Sequence, residues 1–171
     1  MLTTEVRVIG PEAAAAYQAL RLRSLQDHPE AFGSSYEDEV GRTLETIQER
    51  LRTTEHHFTL GAWRGSDLVG IAAFSRSPGV KTRHRGGVGG MYVAPAARGG
   101  GVGRALLRAM IERAKQMPGL EEMILAVTVG NGAARSIYLA AGFQPSHVEK
   151  RYIKVADCYY DIEWMTLLLT R

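Results

Sequence analysis

The chain has 171 residues, 45% of them hydrophobic and 23% charged, with a net charge of +3. This suits one compact domain burying roughly 70% of its unfolded surface and leaves no room for two full-sized ones, so a single domain over residues 1–171 is expected. The balance excludes a disordered chain, and the scatter of the basic residues argues against nucleic acid as a partner.

The opening residues 1–7 lack the basic start and apolar core of a secretory signal, and no apolar run is long enough to span a bilayer. Cys158 is the only cysteine, so no internal disulfide is possible. A cytoplasmic protein without membrane contact is expected, with Cys158 as a small apolar filler in a strand.

Residues 5–9 read as a short strand. Pro11 and the alanines after it start a helix that carries Tyr17, Leu20 and Ser24 on one side and ends near His28 and Pro29. Residues 29–36 suit a loop, and residues 43–52 a second helix with Leu44, Ile47 and Leu51 at helical spacing. Strands over 57–63 and 68–75 flank the hairpin signal Arg64-Gly65-Ser66-Asp67. A polar tip over 76–85 leads into a strand ending at Pro95. Val102, Ala105, Leu106, Ala109, Met110 and Ala114 then form a helical apolar stripe, closed by Met117-Pro118-Gly119. Residues 123–129 read as a buried strand, a helix follows Asn131, and residues 147–155 and 159–168 suit an antiparallel pair. The order predicts an α/β fold, a mixed sheet with helices on both faces.

Two stretches carry chemistry. The first, V-G-G-M-Y-V-A-P-A-A-R-G-G-G-V-G-R over residues 88–104, is a strand emptying through a glycine-rich turn into a helix. The first N–H groups of a helix lack partners and carry about half a positive charge, so such a turn is an anion site. Gly99, Gly100, Gly101 and Gly103 allow close approach to a phosphate, and Arg98 or Arg104 could add a guanidinium. Neither the dinucleotide fingerprint nor the Walker pattern fits, because Leu106 stands where a third glycine belongs and no Gly-Lys pair exists. The second stretch is Asn131-x-x-Ala134-x-x-x-Tyr138-x-x-x-Gly142-Phe143, directly after the buried strand.

Together the R-x-x-G-x-G turn of Arg98, Gly101 and Gly103 and the Asn131 to Phe143 stretch resemble the two halves of the GNAT acyltransferase signature. The resemblance is firm from Val69 to Phe143. It implies a mostly antiparallel sheet of about seven strands with a splayed central parallel pair. It also implies acetyl-coenzyme A as cosubstrate, with its pyrophosphate on the turn from Arg98 through Gly99, Gly100, Gly101, Val102, Gly103 and Arg104. The expected reaction is direct transfer of the acetyl group to a primary amine, that of a small molecule ahead of a protein or peptide. A non-catalytic acyl-coenzyme A sensor is the competing class. A homodimer is in keeping with the family's habits, and no metal is implied, the five histidines lacking ligand spacing.

By the same resemblance, backbone groups near Met91, Tyr92 and Val93 face the acetyl oxygen, Asn131 contacts the cofactor, and Tyr138 assists the leaving thiolate. A phenol near pKa 10 protonating a thiolate of about 8.5 is uphill by about 2 kcal/mol, so hydrogen bonding is the expected role. Asn131 also suits a helix N-cap. The sequence departs from the family at Gly87, where many members carry a glutamate base. Glu37 or Glu39 is the expected replacement, with a water chain to His147 or Tyr159 as the alternative; the plain reading of the two glutamates is a solvated acidic helix start.

Overall fold

In chain order the strands are β1 (Thr4–Ile9), β2 (His57–Arg64), β3 (Asp67–Arg76), β4 (Arg85–Val93), β5 (Glu122–Thr128), β6 (Gln144–Val155) and β7 (Cys158–Leu168). The helices are α1 (Ala14–Asp27), α2 (Tyr36–Val40), α3 (Leu44–Arg50), α4 (Val102–Lys115) and α5 (Gly132–Ala140). These come from a computed structural model, which describes residues 3–169; Met1 and Leu2 of the N-terminal segment lie outside them. The strands form one sheet in the order β1-β2-β3-β4-β5-β7-β6. Every neighbouring pair is antiparallel except β4 and β5.

Apolar side chains divide between two faces. On one face α4 and α5 bury Leu106, Met110, Tyr138 and Phe143 against Phe58, Phe74, Met123, Leu125 and Met165. On the other, α1 and α3 bury Tyr17, Leu20 and Ile47 against Ile9, Ile71 and Tyr92. Among the described residues, no helix is long and apolar enough to cross a membrane.

Two features of β4 create the site. Its pairing with β5 covers only Arg85–Glu122, Gly86–Met123 and Gly87–Ile124, after which the strands part. Its register with β3 slips between Ile71 and Ala73, where Tyr92 and Gly89 are the partners, so β4 carries one extra residue there. Gly90 absorbs that bulge with φ of +59°, a backbone conformation that costs glycine nothing. Because side chains alternate along a strand, the bulge inverts the pattern. Gly89 and Tyr92 share the α1 face, and Met91 turns to the α4 and α5 face, where it packs on the core.

Two expectations need correction. Cys158 is exposed at the start of β7, not a buried filler. β6 begins at Gln144, ahead of His147, and runs through Pro145; an outer strand tolerates the missing N–H. The acidic helix start expected at Glu37 and Glu39 is α2, whose N-terminus is a capping box of Ser35 and Asp38.

Candidate functional site

The glycine-rich turn has the form of an anion cradle. Gly99 and Gly101 have φ of +78° and +76°, and Gly101 caps α4 with no side chain of its own. Among the described residues, no turn or loop hydrogen bond occupies the N–H groups of residues 99–104, and the first turn of α4 carries no acid. Arg104 is exposed beside the turn and lines, with Arg108 and Lys115, a groove between α4 and α5. Arg98 is used otherwise: its Nε donates to the Val93 carbonyl at 3.0 Å and its Nη2 lies 3.2 Å from His28 Nε2. A third guanidinium, which the sequence did not suggest, is that of Arg64, whose Nη2 would lie 2.7 Å from a Cβ built on Gly100. The basic tip over residues 81–85 sits at the far end of β4, roughly 25–30 Å away by strand rise, and cannot reach the same phosphates.

Asn131 caps α5 through its side chain, which accepts from the Ala134 N–H at 3.3 Å, and it is exposed. Tyr138 projects from α5 toward the splay; its ring meets Phe143 edge-on and its hydroxyl lies 3.7 Å from Met91 Sδ. Burial pushes the Tyr138 phenol up to about 12.

The segment after α1 roofs the splay on the opposite face. Tyr92 on β4 donates to Asp27 at 2.6 Å, and Thr128 on β5 donates to the Glu30 carbonyl at 2.8 Å. The α1 end is thereby tied to both parted strands. By register, Ser75 on β3, Gly87 and Gly89 on β4 and Ile124 on β5 share this face of the sheet, where Ser75 and Gly89 are exposed. A Cβ at Gly89 would meet nothing within 4 Å, and one at Gly87 only Ile124 at 3.9 Å.

The carboxylates considered for the base are differently disposed. Glu37 is exposed. Glu39 is 3% exposed and engaged as an ion-pair partner by Arg50 at 2.8 Å and Arg42 at 3.0 Å. Glu122, two residues before Ile124, is held bidentately by Arg85. His147 stacks on Trp164 at 6.2 Å, and Tyr159 lies under Arg151 at 3.7 Å, both on the outer β6–β7 pair.

Sequence reasoning missed the group that stands beside Gly87. Ser75 is the register partner of Gly87, and His57 is the register partner of Ser75. The His57 Nδ1 lies 2.9 Å from Ser75 Oγ, and its Nε2 lies 3.3 Å from Thr59 Oγ1. Burial holds the imidazole below its ordinary pKa against opposing backbone hydrogen bonds from Arg50 and Phe74, which favours the neutral form at pH 7. No local pattern signals this pair, because the β2–β3 register alone brings His57 to Ser75.

A splayed parallel pair with an unpartnered glycine turn at one end and an open sheet face beside α1 at the other is the layout of a coenzyme A-dependent acyltransferase. Residues 18–143 match the acetyltransferase (GNAT) family, and the chain belongs to it. It is 37% identical over 106 residues to the N-alpha-acetyltransferase RimI of Mycobacterium tuberculosis, a match covering 61% of this chain and 64% of that relative. Among solved structures, a ribosomal-protein-alanine N-acetyltransferase from Brucella melitensis superposes with a TM-score of 0.83 at 25% identity, over 96% of this chain and 99% of that one. A candidate acetyltransferase from Salmonella typhimurium, solved with its cofactor acetyl-CoA, superposes at 0.86 with 20% identity over 98% and 94%.

Proposed function

We propose that the protein transfers an acetyl group from acetyl-coenzyme A to a primary amine by direct attack, with a small-molecule amine as acceptor. The carrying observation is the parting of β4 and β5 beyond Gly87 and Ile124, between the free N–H groups of residues 99–104 and the open face that carries Ser75, Gly87 and Gly89. Residues 99–104 would hold the pyrophosphate, with Arg104 and Arg64 beside it and the nucleotide end along the α4–α5 groove. When bound, acetyl-coenzyme A supplies the activated thioester.

Backbone at the bulge, from Met91 to Val93, would donate to the acetyl oxygen as negative charge gathers there. The Tyr138 hydroxyl would donate a hydrogen bond to the departing thiolate. The amine proton would pass to Ser75 Oγ as that hydroxyl gives its own proton to His57 Nδ1, filling the place of the missing strand glutamate. Glu39 serves the acceptor site through Arg50 and Arg42 rather than as a proton acceptor.

A second reading, transfer to the α-amine of a protein N-terminus, is favoured by the similarity to the RimI relative. Thiol release from acetyl-coenzyme A across small amines and peptides tests both. Release with one class names the acceptor, and silence with every amine ends the enzyme reading. Binding is tested separately: ligand at a hundred times its dissociation constant adds about 2.7 kcal/mol, a rise of roughly 5–11 °C in Tm for a domain of this size.

A further inference from the structure

Arg21 lies in the buried stripe of α1 with Tyr17, Leu20 and Ser24, and only 8% of it is exposed. Among the described residues, none hydrogen-bonds its side chain, and its Nη1 is buried without a partner. The Phe32 ring packs on it, with the guanidinium carbon 4.9 Å from the centroid, and Tyr17 lies near. A guanidinium presents five donors and does not shed its charge at neutral pH, so burying it unpaired carries a large desolvation cost. The Glu39 carboxylate attracts it without bonding it, because its bonds go to Arg50 and Arg42. The cluster of Arg21, Arg42 and Arg50 around one glutamate is therefore left with excess positive charge.

The position of that charge gives it meaning. A Cβ built on Gly90 would lie 3.9 Å from Arg21 Nη1, which places the guanidinium at the bulge. Resting on the reading that the acetyl group and the amine meet at this bulge, we propose that Arg21 receives a carboxylate of the acceptor, and that the acceptor is an amine bearing that carboxylate on the same or the next carbon, as in an amino acid. Arg21 and the backbone of Met91 to Val93 flank the same turn of β4, so an amine directed at the acetyl group keeps its carboxylate within reach of the guanidinium fork. A peptide N-terminus offers only a neutral carbonyl there and forgoes the charge-assisted pair.

The test needs no turnover. N-acetylated common amino acids and their amides, the two candidate product classes, are titrated into the protein saturated with coenzyme A. At least one acid is expected to bind about tenfold or more tightly than its amide, a preference that Arg21→Gln removes and Arg21→Lys keeps in part. The melting temperature and coenzyme A affinity of each variant report whether the fold and cofactor site survive. If Arg21→Gln does not fold, Arg21→Lys and the acid-to-amide ratio in the wild type decide. Equal binding of acids and amides, binding of neither, or a preference that survives Arg21→Gln overturns the proposal. Failure of the transferase reading shows separately, as absence of thiol release with every amine.

Discussion

The Tyr138 hydroxyl rests 3.7 Å from the sulfur of Met91, a contact made possible by the bulge at Gly90 that turns Met91 to the α5 face. The phenol is poised beside the acetyl end of the cleft with a pKa near 12. Full proton transfer to a thiolate of pKa about 8.5 would be uphill by about 5 kcal/mol, whereas a hydrogen bond to the thiolate carries no such cost. Tyr138→Phe is expected to lower kcat about tenfold or more and leave the KM for acetyl-coenzyme A nearly unchanged. Since the phenol stays protonated below about 12, kcat of the wild type should show no alkaline fall that the Phe variant lacks up to pH 10, roughly two units short of that value. Steady-state kinetics of the pair across pH checks both.

Glu39 and Glu37, two positions apart, should behave as opposites. Glu39→Gln leaves Arg50 and Arg42 without their shared partner; their side chains retain 27% and 38% exposure. The expected cost is on the order of 2–3 kcal/mol, below that of a fully buried pair. This corresponds to roughly 4–12 °C in Tm. Glu37→Gln, at an exposed position, should stay within about 0.5 kcal/mol. Thermal melts of both variants settle the matter, and a Glu39→Gln enzyme that melts normally yet loses turnover would return Glu39 to the role of base.

The readable parts of this chain were those in which neighbouring residues impose the conformation. Gly99 and Gly101 adopt the left-handed backbone that their type favours, and Asn131 caps α5 as its type suggests. The parting of β4 from β5 came from family resemblance and not from any residue at the gap. His57 and Ser75 are 18 positions apart and meet only through the β2–β3 register, so no local pattern could join them. Arg21 was hidden differently: it interrupts the stripe of Tyr17, Leu20 and Ser24, and a charge on a buried helical face was the signal to follow. Pro145 masked the start of β6 because proline argues against a strand unless that strand lies at the sheet's edge.

Gly86 and Gly87 adjoin in β4 and point to opposite faces. A Cβ at Gly86 would collide with the Phe74 ring, inside the core. Gly86→Ala should therefore destabilise by about 1–3 kcal/mol, since the fully buried Phe74 has nowhere to move. Gly87→Ala meets only Ile124 at 3.9 Å and should leave Tm unchanged or slightly raised. Urea melts of the two variants provide the comparison, and equal losses would mean that the pocket at Gly87 is not open.

His57 gives the reaction its expected pH dependence. Its folded pKa lies below the ordinary histidine value, with burial as the main cause. The neutral, proton-accepting form thus persists below pH about 6.5 and disappears only as pH falls through the lowered value. The acid limb of kcat/KM should have its midpoint under pH about 6.5. His57→Gln should abolish that limb and cut kcat/KM on the plateau by about a hundredfold, with Ser75→Ala acting in the same direction. The sign of the stability effect follows from the same shift. Between the lowered folded value and the unfolded one, the unfolded chain binds more protons, so stability is present above pH about 6.5 and declines as pH falls through that window. Loss of that decline in His57→Gln, together with loss of the kinetic limb, would assign both to one imidazole; a kinetic limb that survives the substitution would move the base elsewhere.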